Sequence, residues 1–206
     1  CDRTMPEEIN RLVTDAISDL LWTPSSDADD NLRREGVAEG KIERVGNVMI
    51  DSLEMLRGAI ESSDLPASVL SHGAEYGVVT LHRPANVDAE GSLARLMDLL
   101  GGISNRMPLV FPVHPRTEAA LQRFGLWEKA RAHTRLHMIS PMGYVQFMSL
   151  VFRARLVITD SGGIQEETTY LGIPCLTMRD TTERPITVTV GTNRLVRMDE
   201  LVAGGE

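Results

Sequence analysis

From residue 76 onward, short apolar runs alternate with longer segments whose apolar residues recur at helical spacing. The short runs are predicted strands: Tyr76–Leu81, Leu109–Val113, Leu136–Ile139, Leu156–Thr159, Cys175–Met178 and Arg194–Val196. The longer segments are predicted helices: Asp88–Ile103, Thr117–Phe124, Tyr144–Phe152 and Ile164–Leu171. Alternation of this kind predicts an α/β fold in which helices cover both faces of a parallel sheet.

The part of the chain before residue 62 contains a smaller set of predicted elements. Its apolar spacing predicts helices at Glu7–Leu20 and Asn47–Ala59, and strands at Leu21–Thr23 and Ile42–Val45. Ser25 or Ser26 could cap a further helix that runs through Leu32 and ends near Gly36. The segment Ser62–Pro66 is the best candidate for a linker. We therefore expect two domains, at residues 1–61 and 62–206.

Composition excludes several classes of function. The chain has 21 basic and 29 acidic residues, a net charge of −8, and no basic cluster, which argues against a nucleic-acid partner. Its two cysteines, Cys1 and Cys175, lie far apart and form no disulfide framework or metal-binding spacing. Neither a signal peptide nor a membrane-length apolar run is present, so we expect a cytoplasmic protein without a membrane partner.

Both ends of the sequence have the character of interior segments. Position 1 is Cys rather than Met, and Cys1–Pro6 is typical of an interior loop. The last residues, 201–206, stop within a predicted helix that begins near Met198. We expect the chain to be a fragment of a longer protein.

Polar residues follow four of the predicted strands. They are His82-Arg83, His114-Pro115-Arg116, Asp160-Ser161-Gly162-Gly163 and the segment Arg179–Arg184. The carboxyl ends of parallel strands lie at one edge of a sheet, and ligands of open α/β sheets bind along that edge. The pattern therefore predicts a ligand site there.

The run Leu156–Thr168 predicts what that ligand carries. A strand that ends in paired glycines and restarts as a helix leaves backbone N–H groups and the positive end of the helix dipole facing one point. Ser161 adds a hydroxyl, so the turn suits a phosphate, although a tight turn without a ligand is the alternative. Glu166 and Glu167 could accept hydrogen bonds from sugar hydroxyls.

Other candidates have a structural alternative. His82 could be a plain strand terminus, and His114 a satisfied half-buried histidine. Arg184 could be a surface residue or a phosphate clamp, since guanidinium matches phosphate geometry. Phe147 belongs to a helical stripe typical of a core, but its ring could face a base. Glu7 stands at a helix start, where the dipole favours an acid.

Dinucleotide-binding and Walker glycine motifs are both absent. Asn86, which follows Pro84, is interpreted as a turn residue that holds its loop rather than as a ligand.

Eight segments taken together resemble the non-hydrolysing UDP-N-acetylglucosamine 2-epimerases over nearly the whole sequence. They are Met5–Arg11, Val45–Asp51, Thr80–Asp88, Phe111–Arg116, Pro141–Tyr144 with Phe147, Thr159–Glu167, Met178–Pro185 and Gly191–Val196. The resemblance implies the GT-B fold, with two Rossmann-like domains facing a cleft. Here it implies a C-terminal UDP-binding domain and the tail of an incomplete N-terminal one.

The implied activity is interconversion of UDP-GlcNAc and UDP-ManNAc without NAD or metal. UDP is eliminated to leave a glycal and adds back with the opposite stereochemistry at C2, which needs a carboxylate base and stabilisation of the departing dianion. The implied protein is a cytoplasmic homodimer that takes a UDP-sugar and feeds cell-surface polysaccharide synthesis.

By motif match, the resemblance implies two catalytic residues, Glu7 as acid/base and His82 near the diphosphate or sugar. It implies seven substrate-binding residues: Met142, Phe147, Ser161, Gly162, Gly163, Glu167 and Arg184. Of these, the serine, both glycines and the arginine hold phosphates and the glutamate binds ribose. The phenylalanine and the backbone around the methionine define the uridine pocket. The roles of Arg83 and His114 stay open.

Most of the first domain of the family has no counterpart in this chain. We therefore expect the polypeptide, tested alone, to bind UDP weakly and to epimerise little or nothing. Two alternatives are kept: a GT-B glycosyltransferase that moves a sugar from UDP to an acceptor, and a non-catalytic nucleotide-sugar-binding module.

Overall fold

The chain divides into two compact units, Cys1–Met55 and Leu56–Glu206. The structure is a computed structural model, and it describes residues 6–66 and 75–198. The division falls within one helix, whose later part contains the sequence-based boundary between residues 61 and 62. The expectations for Cys1–Pro6 as an interior loop and for a helix that continues past Met198 fall outside the described residues, apart from Pro6, which begins a helix.

The first unit is built on two parallel strands. Its elements are α1 (Pro6–Ile17), β1 (Leu21–Thr23), α2 (Ser26–Arg34), a 3-10 turn (Glu39–Lys41), β2 (Ile42–Arg44) and the start of α3 (Val48–Ser62). Leu21 is paired with Ile42 in the register of the two strands. The side chain of Asp29 is buried and accepts hydrogen bonds from Thr23 and Arg44, which joins α2 to both strands.

The second unit contains the larger sheet. Its elements are β3 (Gly77–Thr80), α4 (Pro84–Val87), α5 (Glu90–Ser104), β4 (Leu109–Pro112), α6 (Pro115–Arg123), α7 (Trp127–Arg131), β5 (Leu136–Ile139), α8 (Tyr144–Phe152), β6 (Leu156–Thr159), α9 (Gly162–Leu171), β7 (Cys175–Thr177), α10 (Pro185–Thr189) and β8 (Asn193–Leu195). Within the described residues, the strands form one six-stranded parallel sheet in the order β5-β4-β3-β6-β7-β8. The predicted α/β class and parallel sheet are confirmed.

The order of the strands creates a switch point at the centre of the sheet. From β3 the chain moves outward to β4 and β5, and it then returns to place β6 on the other side of β3. The connections on the two sides of β3 therefore run in opposite directions. A crevice opens at such a point beyond the carboxyl ends of the strands, and this is where open α/β sheets bind ligands.

The core lies between the sheet and its helices. Strands covered on both faces are apolar throughout, as a buried parallel sheet requires, and β4 is buried along its whole length. The side chains of Phe111, Ile158, Leu96 and Leu100 are fully buried in the same cluster. Cys175, predicted as a core residue, is 1% exposed.

Three short helices, α4, α7 and α10, were not predicted. Each has only four or five residues, too few to show helical periodicity, and two begin with proline at the first helical position. Helix α9 begins at Gly162 rather than at the predicted Ile164, because Ser161 takes the extended N-cap conformation. It stops where predicted, at Gly172, whose φ of 71° is the left-handed conformation of a helix end.

Among the described residues, no helix is both long enough and apolar enough to cross a membrane.

Candidate functional site

The carboxyl group of Asp160 lies at the switch point, directly after β6. Its side chain has no exposed surface. It accepts hydrogen bonds from the backbone N–H of His82 at 3.0 Å, the backbone N–H of Arg83 at 2.8 Å and Nδ2 of Asn86 at 3.0 Å. Nδ1 of the His82 ring is 3.1 Å from Oδ1 of the same carboxyl. One buried carboxylate therefore holds the segment that follows β3.

The surroundings of Asp160 keep it ionised. Burial by itself would raise the pKa of this carboxyl. The hydrogen bonds from His82, Asn86 and the backbone of Arg83, with the charge of His82, outweigh burial and leave its pKa below the ordinary value. The carboxylate is therefore an acceptor at neutral pH.

The predicted phosphate turn follows at once. Ser161 is the N-cap of α9, with φ −80° and ψ 136°, and its hydroxyl makes no cap hydrogen bond. Its backbone N–H donates to Oγ1 of Thr159 at 3.0 Å. The first-turn N–H groups of a helix have no intrahelical acceptors, so Gly162 and Gly163 present donors at the positive end of the dipole. The turn has the form that the sequence predicts.

A second acid, Glu183, lies directly against this turn. A Cβ added to Gly162 would overlap Oε1 of Glu183. The Glu183 carboxylate is 2.6 Å from Nη1 of Arg179 and 3.6 Å from Nη2 of Arg83. Burial would raise the pKa of Glu183, but its own backbone N–H and the two arginines lower it overall. A negative charge therefore stands beside the amides that suit a phosphate.

Arg184 lies close to the helix that starts at the turn. Its Nε is 3.4 Å from Oε2 of Glu166. Its backbone N–H donates to Oγ1 of Thr182 at 3.0 Å. The segment before α10 thus brings the predicted phosphate clamp to the side of α9.

Gln165 ties this segment to the turn. The residue is fully buried, and its Nε2 donates to the carbonyl oxygen of Ser161 at 3.0 Å. Its Oε1 accepts from Thr182 at 2.7 Å and from Nδ2 of Asn193 at 3.0 Å. The glycine turn, the segment before α10 and strand β8 are therefore linked through one amide.

Glu167, the predicted ribose ligand, is 3% exposed. Its Oε1 accepts a hydrogen bond from the hydroxyl of Tyr144 at 2.7 Å. Burial raises its pKa, the bond from Tyr144 opposes that, and the neighbouring charge of Glu166 adds to it, so the pKa lies above the ordinary value. Burial and the contact with Glu167 also raise the pKa of Tyr144. Fewer hydrogen-bond donors offset the burial of this carboxyl than offset the burial of Asp160.

The predicted uridine-pocket residues lie at the start of α8. Phe147 is half-buried, and its backbone N–H donates to the carbonyl oxygen of Gly143 at 2.9 Å. Met142 is half-buried in the loop before the helix. Phe147 is three residues after Tyr144 on the same helix, a spacing that places them on one face. The contact between Tyr144 and Glu167 thus brings α8 next to α9.

His114 and Arg83 lie beside His82. The rings of His82 and His114 are 5.1 Å apart between centroids. His114 caps α6, with its Nδ1 accepting from the backbone N–H of Arg116 at 3.1 Å, and the residue is exposed rather than half-buried. Desolvation of its ring by the residues around it and the neighbouring His82 hold the pKa of His114 below the ordinary value.

Glu7 belongs to the other unit. It lies in the first turn of α1, as the sequence predicts, and its side chain is outside the described part of the structure. The remaining predicted site residues all belong to the second unit. The catalytic role of Glu7 stays a prediction.

Sequence reasoning missed the roles of Asp160, Gln165 and Glu183. A signal existed for Asp160, an acid placed between an apolar strand and a glycine turn. Asn86 holds its loop as expected, because its Nδ2 donates to Asp160 and to the carbonyl oxygen of Met178 at 3.2 Å, but it lies in the short helix α4 rather than in a turn.

Comparison with known proteins gives consistent matches. The model of the family described as UDP-N-acetylglucosamine 2-epimerase matches residues 1–202. The chain is 43% identical over 204 residues to the UDP-N-acetylglucosamine 2-epimerase of Methanocaldococcus jannaschii, covering 95% of this chain and 55% of that protein. It is 41% identical over 197 residues to a UDP-2,3-diacetamido-2,3-dideoxy-D-glucuronate 2-epimerase of Pseudomonas aeruginosa, covering 93% and 52%.

A solved structure agrees with these matches. The crystal structure of the M. jannaschii UDP-GlcNAc 2-epimerase in complex with UDP-GlcNAc and UDP superposes with a TM-score of 0.85 at 41% identity. The superposition covers 99% of this chain and 57% of that one. The chain thus spans about half the length of the relatives it matches.

Proposed function

The chain belongs to the UDP-N-acetylglucosamine 2-epimerase family, and on that premise we propose that its second unit binds the uridine diphosphate of a UDP-sugar. The observation that carries the proposal is the turn Ser161-Gly162-Gly163 at the start of α9, beside the switch point. Backbone donors, a free cap hydroxyl and a helix dipole converge there, which is what a diphosphate requires.

The other parts of the nucleotide follow from the neighbours of that turn. Arg184 clamps a phosphate after leaving Glu166, because a phosphate is the better bidentate partner for guanidinium. Glu167 accepts hydrogen bonds from the ribose hydroxyls. Phe147 and the backbone at Met142 form the uridine pocket, with Tyr144 linking that helix to the ribose site.

The proposed reaction is 2-epimerisation by elimination and re-addition of UDP. The turn and Arg184 stabilise the departing dianion, and a donor placed at developing charge contributes about 3 kcal/mol. His82, which Asp160 holds, has the proposed role of serving the diphosphate or the sugar. Glu7 supplies the acid/base at C2 of the sugar.

The proposed substrates are UDP-GlcNAc and UDP-ManNAc. One observation favours a second candidate: the P. aeruginosa relative, named for a diacetamido glucuronate, is nearly as similar as the M. jannaschii one. The cytoplasmic homodimer that serves cell-surface polysaccharide synthesis is part of the same proposal and rests on the family resemblance.

Binding is tested by titration calorimetry of this chain with UDP, with CDP as the matched control. We expect weak binding of UDP and weaker binding of CDP. Absence of UDP binding, or equal binding of a Ser161→Ala variant and the unchanged chain, would contradict the phosphate site.

The reaction is tested by deuterium incorporation at C2 of UDP-GlcNAc in deuterated water, followed by NMR. We expect little exchange with this chain and rapid exchange, without any acceptor, with the complete product of its gene. Exchange on the diacetamido glucuronate alone would select the second substrate. Exchange that requires an acceptor would indicate a glycosyltransferase, and binding without exchange would indicate a non-catalytic module.

A further inference from the structure

We infer that Asp160 is a positioning residue that decides which nitrogen His82 offers to a ligand. Nδ1 of the ring lies 3.1 Å from Oδ1 of the buried carboxylate, which leaves Nε2 as the nitrogen to face a bound diphosphate or sugar. The inference rests on the proposed function for the identity of that ligand. The contact between ring and carboxylate stands without it.

The geometry leaves one arrangement of protons. An ionised carboxylate can only accept hydrogen bonds. Oδ1 of Asp160 lies 3.1 Å from both Nδ1 and the backbone N of His82. Oδ2 receives the backbone N–H of Arg83 and Nδ2 of Asn86. Nδ1 therefore carries a proton, and the neutral ring is the Nδ1–H tautomer.

The same residue fixes the distance between the imidazole and the phosphate turn. Asp160 directly precedes Ser161, and its backbone N–H donates to the carbonyl oxygen of Thr80 in β3 at 3.3 Å. Asn86 extends the frame to β7 through the carbonyl oxygen of Met178 at 3.2 Å. Three strand ends thus hold the ring and the turn in one frame.

Fastening the loop does not require the ring. The two backbone N–H groups and Asn86 already join the segment after β3 to Asp160. The His82 side chain is 38% exposed, so water could satisfy Nδ1 at little cost. A contact to a buried carboxylate instead locks the orientation of the ring, as carboxylates that accept from metal-binding histidines do.

The first test measures the tautomer. We expect two-dimensional ¹⁵N NMR of the labelled chain to show protonated Nδ1 on His82, and added UDP to shift mainly the Nε2 resonance. In Asp160→Asn, the amide oxygen is held by the backbone donors and the amide N–H₂ faces the ring. We therefore expect the tautomer to reverse and UDP affinity to fall about tenfold.

Asn86→Ala is the matched control. It removes a donor from the same carboxylate but leaves His82 in place, so we expect the tautomer to persist whatever the effect on UDP affinity. A double-mutant cycle adds a second readout. In a His82→Ala background, Asp160→Asn should weaken UDP binding less than twofold further, because Asp160 acts through the ring.

Three results would overturn the inference. They are an Nε2–H tautomer in the unchanged chain, a tautomer unaffected by Asp160→Asn, and a double mutant whose loss of UDP affinity is the product of the losses in the two single mutants. If Asp160→Asn does not fold, the tautomer of the unchanged chain and its response to UDP decide the matter. If UDP does not bind at all, the proposed function fails while the tautomer comparison still tests the role of Asp160.

Discussion

Asp160 and Glu167 lie on either side of the start of α9, and both carboxyls are almost entirely buried. Burial pushes the pKa of each upward, yet the pKa of Asp160 ends below its ordinary value and that of Glu167 above. The difference is the supply of donors. Asp160 receives backbone, amide and imidazole donors, whereas Glu167, within the part of the chain that the structure describes, receives one, from Tyr144.

The comparison separates two uses of a buried acid. A carboxylate whose acceptor sites are filled from within the protein serves as an anchor, because any change leaves several donors unsatisfied. A carboxylate with acceptor capacity left over is costly by itself and becomes favourable when a ligand brings hydroxyl donors. Asp160 is of the first kind, and we propose that Glu167 is of the second.

The largest effect is expected for Asp160→Ala. Removing the acceptor leaves the backbone donors of His82 and Arg83 and the amide of Asn86 without a partner. We therefore expect the free energy of unfolding to fall by about 3–5 kcal/mol. Urea unfolding followed by circular dichroism measures it. Asp98→Ala is the control, since Asp98 is half exposed beside Lys129 and should change stability by less than about 0.5 kcal/mol. A loss below about 1 kcal/mol for Asp160→Ala would show that the carboxylate of Asp160 does not anchor the loop after β3.

Glu167→Gln should act in the opposite direction on stability. The pKa of Glu167 in the folded state lies above its unfolded value of about 4.3, so the unchanged chain loses stability as the pH rises above that value and Glu167 ionises. The variant should therefore match the unchanged chain near pH 4 and be more stable than it at pH 7, as measured by urea unfolding at both values. UDP affinity should fall by about 10- to 100-fold, because hydrogen bonds to a charged acceptor contribute about 1.5–3 kcal/mol. If the variant and the unchanged chain were equally stable at both pH values, the hydrogen bonds to Glu167 would offset its burial as well as those to Asp160 do.

Gly162→Ala tests the glycine turn that lies between these two acids in the sequence. Its Cβ overlaps Oε1 of Glu183, and that flexible side chain can move aside, so stability should change by less than about 1 kcal/mol. UDP affinity should fall about tenfold, because the methyl group keeps a phosphate away from the amides. Gly102→Ala, in a helix with open space around it, is the control for calorimetry. Unchanged UDP affinity would place the diphosphate elsewhere.

The smallest effect is expected for Glu183→Gln, which neutralises the exposed acid beside the turn. A partly solvated charge contributes less than about 1 kcal/mol, so UDP affinity should rise about twofold to fivefold, measured by calorimetry at low salt. Weaker binding would mean that Glu183 chiefly holds Arg83 and Arg179 in place.

The features of this site that follow from the alternation of strands and helices could be predicted from the sequence. Polar residues after apolar strands placed His82, Ser161 and Arg184 at one edge, and paired glycines before a helical segment predicted the turn. These inferences depend on period and local geometry, which a single sequence displays.

The pairings could not be predicted, because they depend on contacts between distant segments. The hydrogen bond from His82 to Asp160 spans 78 positions, and no local pattern marks Gln165 as the buried link between the turn and β8. Helices as short as α4, α7 and α10 are defined by tertiary packing rather than by periodicity. The domain roles and the part played by Glu7 stay predictions.

The strand order of the sheet affects how this protein folds. The central neighbours β3 and β6 come from distant stretches of sequence, so their pairing closes a long loop, which is entropically slow. The proposed nucleotide site forms only after that closure, and a ligand that recognises it would stabilise the finished sheet by mass action. UDP should therefore protect the amides of β3 and β6 from hydrogen exchange, including those far from any atom it touches.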